Sequence, residues 1–171
     1  TVRAQEECPD YEIYQLKSGD NWLKNSTEKI GANIIGFEGN HMSVNMLDQL
    51  KQRSGNKLNW KDFSNEITNE RVTKSEHEIN IIEETISISD NAFNSVSKKI
   101  SEGMTEKEIA WEIEKEIRNL GAESISFDTI VASGLNGSKP HHSPTDKKIK
   151  QNEAITIDMG AKYKGYCSDL T

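Results

Sequence analysis

The most constraining feature of this 171-residue chain is a pair of aspartates on either side of a predicted turn near its C-terminal end. Asp158 ends an apolar, β-branched run, and such a run predicts a buried strand. The polar stretch 162–165 follows, and a second short strand then leads to Asp169. If residues 162–165 form a four-residue tip, Ala161 faces Tyr166 and the two aspartates lie directly opposite each other in a hairpin.

Two carboxylates in that position need a counter-charge. Like charges directly opposite each other on a strand ladder repel, and carboxylates beside a buried strand are costly unless something neutralises them. A divalent cation, or a pair of them, would neutralise both groups. The alternative is a solvent-facing hairpin whose acids never meet, and the residues of this segment alone leave both interpretations open.

A longer motif precedes the hairpin. Phe127-Asp-Thr-Ile-Val-Ala-Ser-Gly leads to Pro140-His141-His142, and the hairpin contains Ile-Asp-Met-Gly-Ala followed by Gly-Tyr-Cys-Ser-Asp-Leu-Thr. Together these residues resemble the metallopeptidase family of aminopeptidase P, prolidase and methionine aminopeptidase, whose fold is called pita-bread. The resemblance is closest to the Xaa-Pro branch and covers residues 70–171. A weaker match at 36–44 resembles the end of the N-terminal domain of creatinase and prolidase relatives.

The resemblance implies a role for each of three residues. Asp158 would ligate one metal ion and Asp169 would bridge two, with Mn²⁺ as the first expectation and Co²⁺ or Zn²⁺ as alternatives. His141 would contact the substrate or transition state and act in catalysis, since an imidazole can donate to a developing oxyanion. Neighbouring residues of an extended segment point to opposite sides, so His142 is expected to face away. The implied reaction is attack by a metal-bound hydroxide on the peptide bond before proline.

Composition restricts the partners. The net charge is −7, with 29% charged and 33% hydrophobic residues. No basic patch exists to bind nucleic acid or an anionic membrane, and no apolar run approaches the ~20 residues that a membrane span needs. Cys8 and Cys167 match no zinc spacing, so we interpret them as reduced thiols of a cytoplasmic protein, with a single disulfide as the alternative.

Residues 1–70 predict a partial α/β domain of the creatinase/prolidase N-terminal type. Strands alternating with helices are typical of an α/β layer. The predicted strands are Tyr11–Leu16, Asn33–Phe37 and Lys57–Asp62. One helix contains Trp22, Leu23 and Ile30 and ends at Gly31, and a second spans Ser43 to about Arg53 and buries Val44, Leu47 and Leu50.

Residues 71–171 predict an α+β arrangement, the first half of a pita-bread domain. Ser75 and Thr105 each begin a capping box, with Glu78 and Glu108 three residues later. The acidic stretch 106–116 is interpreted as a solvated helix face. The first helix is expected to bury Ile79, Ile82, Ile86, Phe93, Val96 and Ile100, and the second Ile109, Ile113, Ile117 and Leu120.

The family resemblance also implies missing parts. The family completes its metal site with a His and two Glu on later strands, so we expect this chain to be an internal fragment of an enzyme about twice as long, inactive alone and homodimeric when full length. The expected substrate is a peptide with proline after the scissile bond. The alternative is a non-peptidase pita-bread relative, either a creatinase-like hydrolase or a ligand-free binding protein.

Overall fold

The computed structural model describes residues 2–54 and 58–171. The chain forms two compact units, Thr1–Thr73 and Lys74–Thr171. In the described residues, no helix is both long enough and apolar enough to cross a membrane.

The first unit is a small α/β unit around two parallel strands. Ile35 lies opposite Trp60 in this pair. Gly31 ends the second helix with φ 65°, in the left-handed region, and its backbone N–H donates to the Glu28 carbonyl, as is usual for a glycine after a helix. The elements are α1 Val2–Glu7, α2 Trp22–Ile30, β1 Ile34–Phe37, α3 Val44–Ser54, β2 Asn59–Asp62 and α4 Ser64–Val72.

Two predictions for this unit were wrong, and one helix was missed. Tyr11–Leu16 forms no strand, and Tyr11, Tyr14 and Leu16 are all exposed, because no strand within residues 2–54 and 58–171 pairs with the alternating pattern. Val44 of α3 is also exposed. Helix α4 was not predicted, since Phe63 before it gives no side-chain cap. The predicted start at Lys57 lies outside the described residues.

The second unit has the predicted α+β arrangement of two helices followed by antiparallel strands. Both capping boxes are present, at Ser75 and at Thr105. One sheet has the order β3-β6-β7 and the other pairs β4 with β5. The elements are α5 Glu76–Ser97, α6 Glu106–Asn119, β3 Ser124–Ile125, β4 Ile130–Ser133, a 3-10 helix Gly134–Ser138, β5 Ile155–Asp158, β6 Ala161–Tyr163 and β7 Tyr166–Cys167.

The core of this unit lies between α6 and the strands. The predicted stripe of α6 is confirmed, except that Leu120 at its end is exposed. Its fully buried isoleucines pack in one cluster with residues of α5 and the sheets. The cluster contains Ile109, Ile113, Ile117, Ala92, Val96, Ala122, Val131, Ile149, Met159 and Ala161.

The predicted buried face of α5 was wrong except at Val96, which is buried as expected. Ile79, Ile86 and Phe93 are exposed, and the helix also buries Ile81, Thr85, Ser89 and Ala92. Two of these side chains are polar, but both are satisfied. The Thr85 hydroxyl donates to the Ile81 carbonyl at 2.7 Å, and the Ser89 and Ser168 hydroxyls are hydrogen-bonded at 2.6 Å.

Replacing Ile113 tests this core. Ile113→Ala should lower the free energy of unfolding by about 2–5 kcal/mol, because it leaves a cavity at a fully buried site. Trp111, on the same helix, is 60% exposed, so Trp111→Ala should change stability by no more than about 0.5 kcal/mol. Chemical denaturation of both variants measures the difference, and equal losses would contradict this core assignment.

Candidate active site

The hairpin that carries the two aspartates turns over two residues. Tyr163 pairs with Tyr166, so the tip is Lys164-Gly165, with φ 48° and 80°. Two successive positive φ angles are typical of the tight turn that matches strand twist. The predicted four-residue tip was therefore wrong, because Lys164 adopts a left-handed conformation that non-glycine residues seldom take.

This turn changes the register of the aspartates by two residues. Met159 bridges Leu170, and the same register aligns Asp158 with Thr171, whose hydroxyl donates to Asp158 Oδ1 at 2.9 Å. The predicted direct opposition of Asp158 and Asp169 was wrong. Because side chains alternate with a period of two, however, a shift of two residues keeps both on the same face.

Gly160 lies between β5 and β6 and is the glycine of the Ile-Asp-Met-Gly-Ala motif. The crowding around it explains why this position is a glycine. A Cβ atom added there would overlap the Ser168 carbonyl oxygen and the Ser126 hydroxyl. The closeness of these backbones leaves space only for glycine. The sequence Asp-Met-Gly-Ala thus lets the hairpin close directly beside Asp158.

Both aspartates and both histidines line one cavity of about 460 Å³. Asp158 is half-buried and Asp169 is exposed. In the described part of the chain, neither aspartate forms an ion pair with Lys or Arg. The cavity is lined by Phe127, Asp128, Thr129, Ile130, His141, His142, Ser143, Pro144, Asp158 and Asp169.

The metal-ligating groups in this cavity have the right chemical type for a divalent cation, but there are too few of them to complete its coordination. Carboxylates are preferred ligands of hard divalent cations, which take about six ligands or more. Within residues 2–54 and 58–171, no group of three or more His, Cys, Asp or Glu is arranged to hold a metal ion. Asp158 and Asp169 can therefore supply part of a metal site.

His141 has an unusual backbone. Its φ of 53° lies in the left-handed region, and non-glycine residues held there tend to occur at functional sites. The residue is exposed, whereas the neighbouring His142 is buried. The two histidines thus differ in environment although both line the cavity.

Glu106 is the residue that the sequence interpretation misplaced. It was assigned to a solvated helix face, yet its side chain is fully buried. Oε1 accepts hydrogen bonds from Ser133 N and Oγ, both at 2.8 Å, and from Asn136 Nδ2 at 2.9 Å. Oε2 accepts from His142 Nε2 at 2.9 Å and from Thr145 N and Oγ1 at 3.0 and 2.7 Å.

These hydrogen bonds keep Glu106 ionised. Burial raises the pKa of its carboxyl, but donors from Asn136, His142, Thr145 and Ser133 together outweigh burial and hold the pKa well below its usual range. An ionised carboxylate only accepts hydrogen bonds. The hydrogen between it and His142 is therefore carried by Nε2 of the imidazole.

An ion pair between Lys147 and Glu153 adjoins Glu106. Ser133 Oγ accepts from Lys147 Nζ at 2.8 Å, and Lys147 Nζ also donates to both carboxylate oxygens of Glu153, at 2.6 and 2.7 Å. Hydrogen bonding to Lys147 lowers the pKa of Glu153. The network thus joins α6, the end of β4 and the segment before β5.

The sequence does contain a signal for Glu106. It precedes Ile109, Ile113 and Ile117 by 3, 7 and 11 residues, so it belongs to the same buried stripe of α6. Glu106 was left out of the predicted stripe because only apolar residues were expected to be buried. A carboxylate on a buried stripe predicts a buried network of donors.

Each part of the chain matches a known protein family. Residues 80–171 match the model described as metallopeptidase family M24, and residues 1–73 match the creatinase/prolidase N-terminal domain. These matches confirm the family resemblance and the fold class predicted from the sequence.

Similar proteins agree with the family matches. An uncharacterized peptidase of Bacillus subtilis is 37% identical over 100% of this chain and 48% of its own length, and an Xaa-Pro dipeptidase of Pyrococcus furiosus is 36% identical over 94% and 42%. The crystal structure of an X-Pro aminopeptidase from Thermotoga maritima has a TM-score of 0.90 at 34% identity, covering 98% of this chain and 49% of that one. The chain therefore spans about half the length of the relatives it matches.

Acidification of a Glu106→Gln variant tests the buried carboxylate. The pKa of Glu106 in the folded state lies below the unfolded value of about 4.3. Its charge therefore stabilises the fold above that pH, and this contribution is lost as the pH falls toward the folded-state pKa. At pH 7 the variant should be less stable by roughly 2–5 kcal/mol, and this deficit should narrow at pH 3.

Urea unfolding of the wild type and the variant at both pH values measures the deficit. The exposed Glu102 provides the control, because Glu102→Gln alters a carboxylate on the surface and should change stability by no more than about 0.5 kcal/mol. A Glu106→Gln deficit equal at pH 7 and pH 3 would contradict an ionised, hydrogen-bonded Glu106.

Proposed function

Because this chain belongs to metallopeptidase family M24, we propose that it is part of a metal-dependent peptidase that hydrolyses the bond before proline. The observation that carries the proposal is the cavity that Asp158, Asp169 and His141 line together. Relatives named Xaa-Pro dipeptidase and X-Pro aminopeptidase support the choice of substrate. Homodimeric assembly and a cytoplasmic location of the whole protein are proposed on the family resemblance alone.

Asp158 and Asp169 are proposed as metal ligands. Asp158 would hold one ion and Asp169 would bridge two, with the remaining ligands supplied by a part of the protein outside this chain. A pair of divalent ions, proposed as Mn²⁺ with Co²⁺ or Zn²⁺ as alternatives, would supply an activated water and polarise the scissile carbonyl.

His141 is proposed as the residue that contacts the substrate. Its imidazole would donate a hydrogen bond to the carbonyl oxygen as negative charge develops there. His141 lines the cavity and is exposed, which leaves the ring accessible to a bound peptide. An Xaa-Pro bond carries no amide N–H, so recognition of the peptide would depend on contacts to the carbonyl oxygen and to the proline ring.

Metal titration of the intact protein tests the two aspartates. The wild type should bind two Mn²⁺ ions, Asp158→Asn should lose one, and Asp169→Asn should weaken both because the bridging carboxylate is removed. Turnover of an Xaa-Pro dipeptide should fall at least about 100-fold in both variants, since even residues behind the ligands alter metal sites by 10–100-fold. Calorimetry and a dipeptide assay measure the two effects.

Asp90→Asn is the control, because Asp90 is exposed on α5 and absent from the cavity lining. It should retain two ions and wild-type turnover. Two ions bound at wild-type affinity in both cavity variants would contradict the proposed ligands. Metal binding without Xaa-Pro turnover in the wild type would favour a non-peptidase relative.

The 171-residue chain alone is expected to be inactive. Two carboxylates provide too few ligands for a pair of ions, so incubation with Mn²⁺ and an Xaa-Pro dipeptide should release no proline above the buffer rate. An assay of free proline measures this, and clear turnover would contradict the proposal that ligands outside this chain complete the site.

A further inference from the structure

We infer that Glu106 is a positioning residue whose buried carboxylate holds the loop that carries His141 at the cavity. This inference rests on the proposed function, because it assumes that His141 acts on a substrate there. Glu106 itself does not line the cavity, so it would act through the loop and not on the substrate.

The donors to Glu106 lie on both sides of His141 in the chain. Ser133 and Asn136 precede it, at the end of β4 and in the 3-10 helix, while His142 and Thr145 follow it. The chain is therefore hydrogen-bonded to the carboxylate at Asn136, passes through His141, and is hydrogen-bonded to the same carboxylate again at the next residue. Only five residues separate the two attachment points, so His141 has little freedom to move.

The approach to His141 has a further attachment. The Lys139 backbone N–H donates to the Asn136 carbonyl at 3.0 Å, and Lys139 Nζ donates to Asn136 Oδ1 at 2.7 Å. Asn136 is thus held by Glu106 through its amide nitrogen and holds Lys139 through its oxygen atoms. The residue two positions before His141 is therefore connected to the same carboxylate.

The charge of Glu106 makes this attachment strong. Hydrogen bonds to an ionised acceptor are stronger than those between neutral groups, and a buried donor that loses its acceptor is costly. Movement of the loop away from α6 would leave several buried donors without an acceptor. The carboxylate therefore favours a single loop conformation.

The backbone of His141 needs such support. Its φ of 53° belongs to a region that non-glycine residues keep only where the surrounding structure imposes it. The adjacent residue, His142, is fixed by its hydrogen bond to Glu106. Weakening that bond would let His141 relax toward an ordinary conformation and move its ring relative to Asp158 and Asp169.

A double-mutant cycle on the intact protein tests the inference. Glu106→Gln keeps the shape of the side chain but places an NH₂ group against three of the donors. Its kcat for an Xaa-Pro dipeptide should fall on the order of 100-fold, the effect expected of a small displacement of a catalytic group, while Mn²⁺ affinity stays within about 2-fold. In a His141→Ala background the same change should lower kcat by less than about 3-fold, because coupled residues are not additive.

Three results would overturn the inference. The first is wild-type kcat in a folded Glu106→Gln variant. The second is an equal loss of kcat in the presence and absence of His141, which would mean that Glu106 acts by another route. The third is loss of Mn²⁺ affinity in parallel with kcat. The exposed Glu102→Gln variant should match the wild type throughout.

A milder variant decides the question if Glu106→Gln does not fold. Thr145→Val removes one donor to Oε2 and leaves the backbone donor of Thr145 in place. It should lower kcat about 3- to 10-fold in the wild-type background and have no effect in the His141→Ala background. A loss of the same size in both backgrounds would overturn the inference.

Hydrogen exchange separates this inference from the proposed function. In the tested variant, amides of residues 139–146 should exchange at least about 10-fold faster than in the wild type, while those of α5 are unchanged. Unchanged exchange in the loop would overturn the inference whatever the activity. If the wild type shows no turnover while the variant shows faster loop exchange, the proposed function is overturned. The role of Glu106 in holding the loop is then still supported.

Discussion

The structure of the second unit depends on one buried carboxylate. Glu106 stands at the start of α6, on the stripe whose isoleucines form the core, and accepts six hydrogen bonds from Ser133, Asn136, His142 and Thr145. A buried charge is tolerated only when it is well satisfied, and here all its partners come from the end of β4 and the region that follows it. The same interaction therefore fixes the helix against the strand and shapes one wall of the cavity.

The hairpin forms another part of that cavity by a separate device. A two-residue turn at Lys164-Gly165 sets the register, and Gly160, just before β6, allows the close approach of Ser168, just after β7. The result places Asp158 and Asp169 two residues apart along the ladder and on one face, rather than directly opposite. A diagonal arrangement separates the two charges more than direct opposition would, yet keeps both at the same cavity.

Local signals predicted most elements of the second unit. The capping boxes at Ser75 and Thr105 satisfy the first turn of each helix with residues three positions apart, so they can be recognised in the sequence. The stripe of Ile109, Ile113 and Ile117 is equally local. Such features depend on no distant partner, which explains why the helices and the α+β class could be predicted.

The errors arose where distant partners decide the outcome. Ser89 belongs to the buried face of α5 because it meets Ser168, 79 residues later, and Glu106 is buried because its donors lie 27 to 39 residues away. The strand predicted at Tyr11–Leu16 has the right alternation, but in the part of the chain that the structure describes no strand pairs with it. A sequence pattern alone assigns polar residues of a helix to the solvent-exposed face. Whether such a residue is buried depends on hydrogen-bond partners that only folding brings near.

Asp158, Asp169 and His141 all line one cavity, and the proposed function depends on their meeting there. Its most direct test is a crystal structure of the intact protein grown with Mn²⁺ and measured at a wavelength where manganese scatters anomalously. We expect two anomalous peaks about 3.5–4 Å apart, with carboxylate oxygens of Asp158 at one peak and of Asp169 between both, and the His141 ring facing them. Peaks that lie elsewhere, or aspartate side chains on different faces of the hairpin, would contradict it.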